Sequence, residues 1–197
     1  MNKDQYIKES KLILINHAKV IESLDTDLFH STIIEISDLI ISSLKNGNKI
    51  YFCGNGGSAA DAQHLAAEFT GRFFIDRKPL PAEALHCNSS YLTAVGNDYG
   101  YEFIYSRLIE GIASSGDVLI GLSTSGNSVN IVNAFKAANK KGVLTIGLTG
   151  EKDSKMSKFA DIVIKSPSKS TPRIQESHIL IGHIICEFVE KEIFKNE

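Results

Sequence analysis

Five short apolar runs, at 49–53, 83–87, 117–122, 143–148 and 161–165, constrain this chain most. Each has the length of a buried strand, and the last three alternate with helical segments at 129–141 and 153–160. Strands that are apolar throughout are buried on both faces, which requires a parallel sheet covered by helices. With right-handed crossovers the result is a three-layer, doubly wound α/β domain. Two helices precede the sheet over residues 3–46, with a break at Asp25-Thr26-Asp27 that suits an N-cap and an acidic first turn. A long helix closes the chain. Pro167 stops the last strand, Thr171-Pro172 reads as N-cap and first helical position, and isoleucines recur from Ile174 to Ile193. At 197 residues the chain is most simply one domain, with a helical segment at 1–46 and an α/β core plus final helix at 47–197.

Two of the strand-to-helix junctions carry chemistry. Gly54-Asn55-Gly56-Gly57-Ser58 follows the first run, and Ser123-Thr124-Ser125-Gly126-Asn127-Ser128 follows the third. Glycine lets backbone approach a ligand closely. The N–H groups and dipole at a helix start favour an anion. The second loop adds four hydroxyls that can donate to phosphate oxygens. Together the loops suit one small phosphorylated molecule. Neither opens with the lysine of a nucleotide-triphosphate loop or with a dinucleotide fingerprint.

The helix after the first loop places Asp61, His64, Glu68 and Arg72 on one face, among small alanines. His64 and Glu68 are one turn apart, so they could share a metal ion or hydrogen-bond each other. On spacing alone ordinary charge pairs on an exposed face are the better explanation, but the phosphate-type loop one turn upstream puts this face beside a ligand and reverses the preference. A second polar set, Gln175, Glu176, His178 and His183, opens the final helix. Gln175 and His183 lie roughly 12 Å apart along an ideal helix, so one ion reaches both only if the side chains lean together.

Composition narrows the partners. A formal charge of −2 gives no reason to expect nucleic acid or an anionic membrane. No apolar stretch approaches the roughly 18–20 residues that cross a bilayer. Cys53, Cys87 and Cys186 are odd in number and widely spaced, and read as core residues in a reducing cytoplasm.

The Gly-Asn-Gly-Gly-Ser junction, the segment Ala-Asp-Ala-Gln-His-Leu-Ala-Ala-Glu-Phe at 60–69, the serine-rich loop, Ala94-Val95-Gly96-Asn97-Asp98 and the Gln175…His183 helix resemble the sugar isomerase (SIS) domain family. Within it they resemble the phosphoheptose isomerase group, in order along essentially the whole chain. The resemblance implies a flavodoxin-like SIS fold and an aldose–ketose isomerase. Such an enzyme converts sedoheptulose 7-phosphate to D-glycero-D-manno-heptose 7-phosphate through an enediol, in heptose biosynthesis for lipopolysaccharide or capsule. It implies substrate binding by Asn55, Gly56, Gly57, Glu68, Asn97, Asp98, Ser123, Thr124, Ser125, Ser128 and Gln175, with the Ser/Thr loop on the phosphate. Glu68 and His183 match the acid–base pair, and His64, Glu68, Gln175 and His183 match a set that holds one Zn²⁺ per subunit. A cytoplasmic homotetramer with sites at subunit interfaces is implied as well. Two other readings stay open: a non-catalytic SIS regulator that binds sugar phosphate and associates with a replication initiator, and an isomerase of another sugar phosphate.

Overall fold

A computed structural model describes residues 2–195. Helix α1 (Lys3–Leu24) is capped by the Asn2 side chain, which accepts from the Gln5 N–H. The break falls where expected. Thr26 caps α2 (Asp27–Lys45) by accepting from Phe29 N–H, and Asp27 lies in the first turn. The remaining elements are β1 (Ile50–Gly54), α3 (Gly57–Thr70), β2 (Ala82–Ala84), α4 (Ser89–Asp98), α5 (Ile104–Ile112), β3 (Val118–Ser123), α6 (Val129–Lys140), β4 (Leu144–Gly150), β5 (Ile162–Ser166) and α7 (Thr171–Ile193).

The five strands form one parallel sheet in the order β2-β1-β3-β4-β5. This is the flavodoxin-like doubly wound order, whose switch point lies between β1 and β3. Side chains alternate across the sheet, so the central strands β1 and β3 feed two cores. Phe52, Ile120 and Leu148 pack with α2, α3 and α7 on one face. Tyr51, Cys53 and Leu119 pack with α4, α5 and α6 on the other. Gly54 pairs with Leu122 in register, so the two loops leave the same end of the sheet side by side.

Several expectations shift. The run at 83–87 yields only a three-residue edge strand, and His86 and Cys87 lie past it in the turn to α4. The helix expected at 153–160 is a single 3₁₀ turn at Met156–Lys158. Its backbone is held by the neighbouring loop instead: Met156 N–H donates to the Gly126 carbonyl (2.9 Å) and Lys155 N–H to Asn127 Oδ1 (3.0 Å). Ser170, not Thr171, holds the N-cap position of α7. Cys53 and Cys186 are buried, but Cys87 is exposed, so it is no core residue. No described helix is long and apolar enough to cross a membrane.

Candidate active site

The first loop turns at Gly56 (φ 56°) and delivers Gly57 as the first residue of α3. A Cβ on Gly57 would lie 2.6 Å from Gln175 Nε2, so this glycine is what admits the Gln175 amide from α7. Asn55 is fixed by a reciprocal amide pair with Asn130. Asn55 Nδ2 donates to Asn130 Oδ1 (3.0 Å), and Asn130 Nδ2 donates to Asn55 Oδ1 (2.8 Å). The Tyr101 hydroxyl donates to the same Asn55 oxygen at 3.0 Å. Asn130 is buried in the first turn of α6, so the pair staples the two loops together across the switch point. It escapes sequence reading because one asparagine in a helix start carries no pattern.

The second loop organises itself through its own hydroxyls. Ser123 Oγ accepts from Gly126 N–H (3.1 Å) and lies 3.2 Å from Ser128 Oγ. Ser125 Oγ accepts from Asn127 N–H at 3.1 Å. Ser128 sits at the N-cap of α6 without a side-chain capping bond. The helix start is therefore available to an anion. Thr124, Ser125 and Asn127 form one wall of a cleft of about 300 Å³, faced by Lys152, Thr171 and Ile174.

Helices α3 and α7 run side by side in parallel. Gln175 meets Gly57, and Gly182 meets Leu65, where a Cβ would come within 2.4 Å of the leucine side chain. That close approach brings His64, Glu68 and His183 together. His64 Nε2 lies 2.9 Å from Glu68 Oε1 and 3.4 Å from His183 Nε2. One donor atom from each of the three residues falls within 4.8 Å of the others. Phe73 packs its ring 5.6 Å from the His183 ring. Burial pushes the His183 imidazole below its ordinary pKa; His64 adds to this and Glu68 opposes it. Two imidazole nitrogens and a carboxylate pointing at one spot are a donor set for a cation or a relay for a proton.

The other expected residues divide. Gln175 lies against Gly57, two turns from His183 along α7. Asn97 and Asp98 end α4, exposed, with Asn97 Nδ2 donating to Asp98 Oδ1 at 2.9 Å. Arg72 lies beyond the last residue of α3, so it does not continue the helical stripe. Asp61 remains on α3, half-buried, and burial raises its pKa while His64 lowers it.

The SIS domain family matches residues 16–150, and a second SIS domain match spans 107–195. The phosphoheptose isomerase of Aneurinibacillus thermoaerophilus is 50% identical over 194 residues, 98% of this chain and 97% of that protein. The chain belongs to the phosphoheptose isomerase family. The Sulfurimonas denitrificans member is 56% identical over 160 residues, 81% of this chain and 82% of its own length. The solved phosphoheptose isomerase of Neisseria gonorrhoeae superposes with a TM-score of 0.89 at 37% identity, covering 94% of this chain and 99% of that one. That of Francisella tularensis gives 0.87 at 31%, covering 97% and 100%. The family's isomerase character and its α/β fold therefore extend to this chain.

Proposed function

We propose that this chain interconverts sedoheptulose 7-phosphate and D-glycero-D-manno-heptose 7-phosphate. The observation that carries the reading is the convergence of Glu68, His64 and His183 on one spot. Glu68 takes a proton from C1 of the open-chain ketose while O2 is protonated, giving an enediol. That proton then returns at C2 while the O1 proton is released, so C1 becomes the aldehyde. His183, on the facing helix, serves the oxygen atoms. The loop at 123–128, with Ser123, Thr124, Ser125 and Ser128, holds the ester dianion at the start of α6. Asn55, Gly56, Gly57, Asn97, Asp98 and Gln175 complete the sugar site. Binding energy from the distant phosphate fixes the reacting end.

The donor set also fits one zinc ion: two imidazole nitrogens and a carboxylate at mutual ligand distance. Gln175, two turns away on α7, would join them as the fourth residue only if its side chain leans toward His183. When bound, zinc would supply Lewis-acid polarisation of the sugar oxygens. A regulator that only binds sugar phosphate has no use for an acid–base pair beside the loops, and here both members are present.

The reading includes a cytoplasmic homotetramer. Free cysteines are in keeping with a reducing compartment. Leu12, Ile13, Leu14 and Ile15 on α1 are each at least 50% exposed, an apolar surface that a partner subunit would cover. Light scattering should report four times the chain mass, and Leu14→Glu should lower it; a monomeric wild type would remove this part. The function itself is tested by incubation with sedoheptulose 7-phosphate, with and without chelator. Aldose should form, more slowly after chelation. No aldose under either condition would refute the reading.

A further inference from the structure

The segment that follows α3 is fastened by an ion pair that the reaction does not use. Arg77 and Glu190 have side chains only 2% and 3% exposed, with Arg77 Nε 2.9 Å from Glu190 Oε1. Arg77 Nη2 donates to the Glu68 carbonyl (2.8 Å), and Nη1 donates to the carbonyls of Phe69 (2.7 Å), Gly71 (3.2 Å) and Lys78 (3.1 Å). The last carbonyls of a helix lack partners within it, and a cation there also complements the dipole. Arg77 thus caps the turn of α3 that carries Glu68. Glu190 serves the opposite need. Its Oε1 accepts from Phe73 N–H (3.0 Å), and its Oε2 accepts from Phe74 (2.7 Å) and Ile75 (3.3 Å). Burial alone would raise this carboxyl's pKa, but the N–H donors of Phe74 and Phe73, Arg77 and the Ile75 N–H outweigh it and hold it low.

Glu190 stands seven residues after His183, two turns on and on the same face of α7. The pair therefore joins the last turn of α3 to α7 at a fixed register. It also seats Phe73, whose ring packs on His183. A buried ion pair gives little net stability over well-packed apolar residues. What an apolar pair could not do is hold three N–H groups and four carbonyls at set positions. We propose that Arg77 and Glu190 are positioning residues that align Glu68 with His183 for proton transfer. The proposal rests on the acid–base roles assigned above.

A misplacement of about 1 Å at a reacting centre can cost roughly a hundred-fold in rate. The test is steady-state kinetics of Glu190→Gln and Arg77→Lys with sedoheptulose 7-phosphate, well below each melting temperature and normalised to folded protein. Each variant should lose about ten- to a hundred-fold in kcat with KM within about two-fold of wild type. Inhibition by inorganic phosphate should stay unchanged, because the loop at 123–128 is not part of the clamp. A kcat within two-fold of wild type in either folded variant would overturn the proposal. So would parallel loss of phosphate inhibition, or failure of both variants to fold, since each marks the pair as a general stabiliser. Wild-type protein without turnover would instead refute the functional reading, and the proposal with it.

Discussion

Glu68→Gln and His183→Gln are each expected to lower kcat by roughly a thousand-fold, a loss of about 4 kcal/mol in transition-state stabilisation. Both changes remove proton affinity and leave much of the shape. A glutamine at 68 still offers His64 an amide oxygen in place of the carboxylate that now lies 2.9 Å away. Glu68 and His64 keep 22% and 48% of their side-chain surface exposed, so neither substitution strands a deeply buried charge. The melting temperature should therefore move little. KM should move little too, because in the proposed site the loop at 123–128, not this pair, holds the phosphate. The two losses should not add, since one proton path needs both groups. Retention of more than a tenth of wild-type kcat by either folded variant would remove that residue from the acid–base pair.

The sheet was legible because β1 and β3 are apolar on both faces and β4 carries only small or hydroxyl residues on its second face, a pattern that a covered parallel strand sustains. Strand β2 was less so: it is three residues long and paired on one side only. Helix α4 is hard to read for a similar reason, since its apolar face is a single turn, Tyr91, Leu92 and Val95, of which only Val95 is fully buried. The turn at Met156–Lys158 shows a different failure, in which backbone donors of a short connection go to a neighbouring loop. At the site, His64 and Glu68 announce themselves by spacing within one helix, while His183 stands out only as one of a polar set in the final helix, its role supplied by the family resemblance. Arg77 and Glu190 carry no such signal. They are 113 residues apart, and a single arginine or glutamate ordinarily reads as surface charge. Only the meeting of α3 and α7 in space makes them a pair.

Acid should weaken the fold through His178. This side chain is fully buried, and its Nε2–H donates to the Thr149 carbonyl at 3.1 Å while Nδ1 has no partner among the described residues. Burial lowers its pKa from 6.5 to about 4, opposed by the Thr149 bond. The folded chain thus keeps the ring neutral where the unfolded chain protonates it. A histidine with a depressed folded pKa contributes full stability above the unfolded value, and that contribution is lost as pH falls from 6.5 toward about 4. The whole span is worth roughly 3 kcal/mol, and about 2 of that falls between pH 7 and pH 5. The ring lies under the site: Thr149 precedes Gly150, whose N–H holds the Thr124 carbonyl at 3.1 Å. His178→Gln retains a donor near Nε2 and cannot titrate. In urea unfolding at the two pH values, the variant should lose about 2 kcal/mol less than wild type on acidification. His86 and His183, whose pKa values burial also lowers, act equally in both proteins and cancel in the comparison. Equal losses in variant and wild type would show that His178 is not the group that titrates.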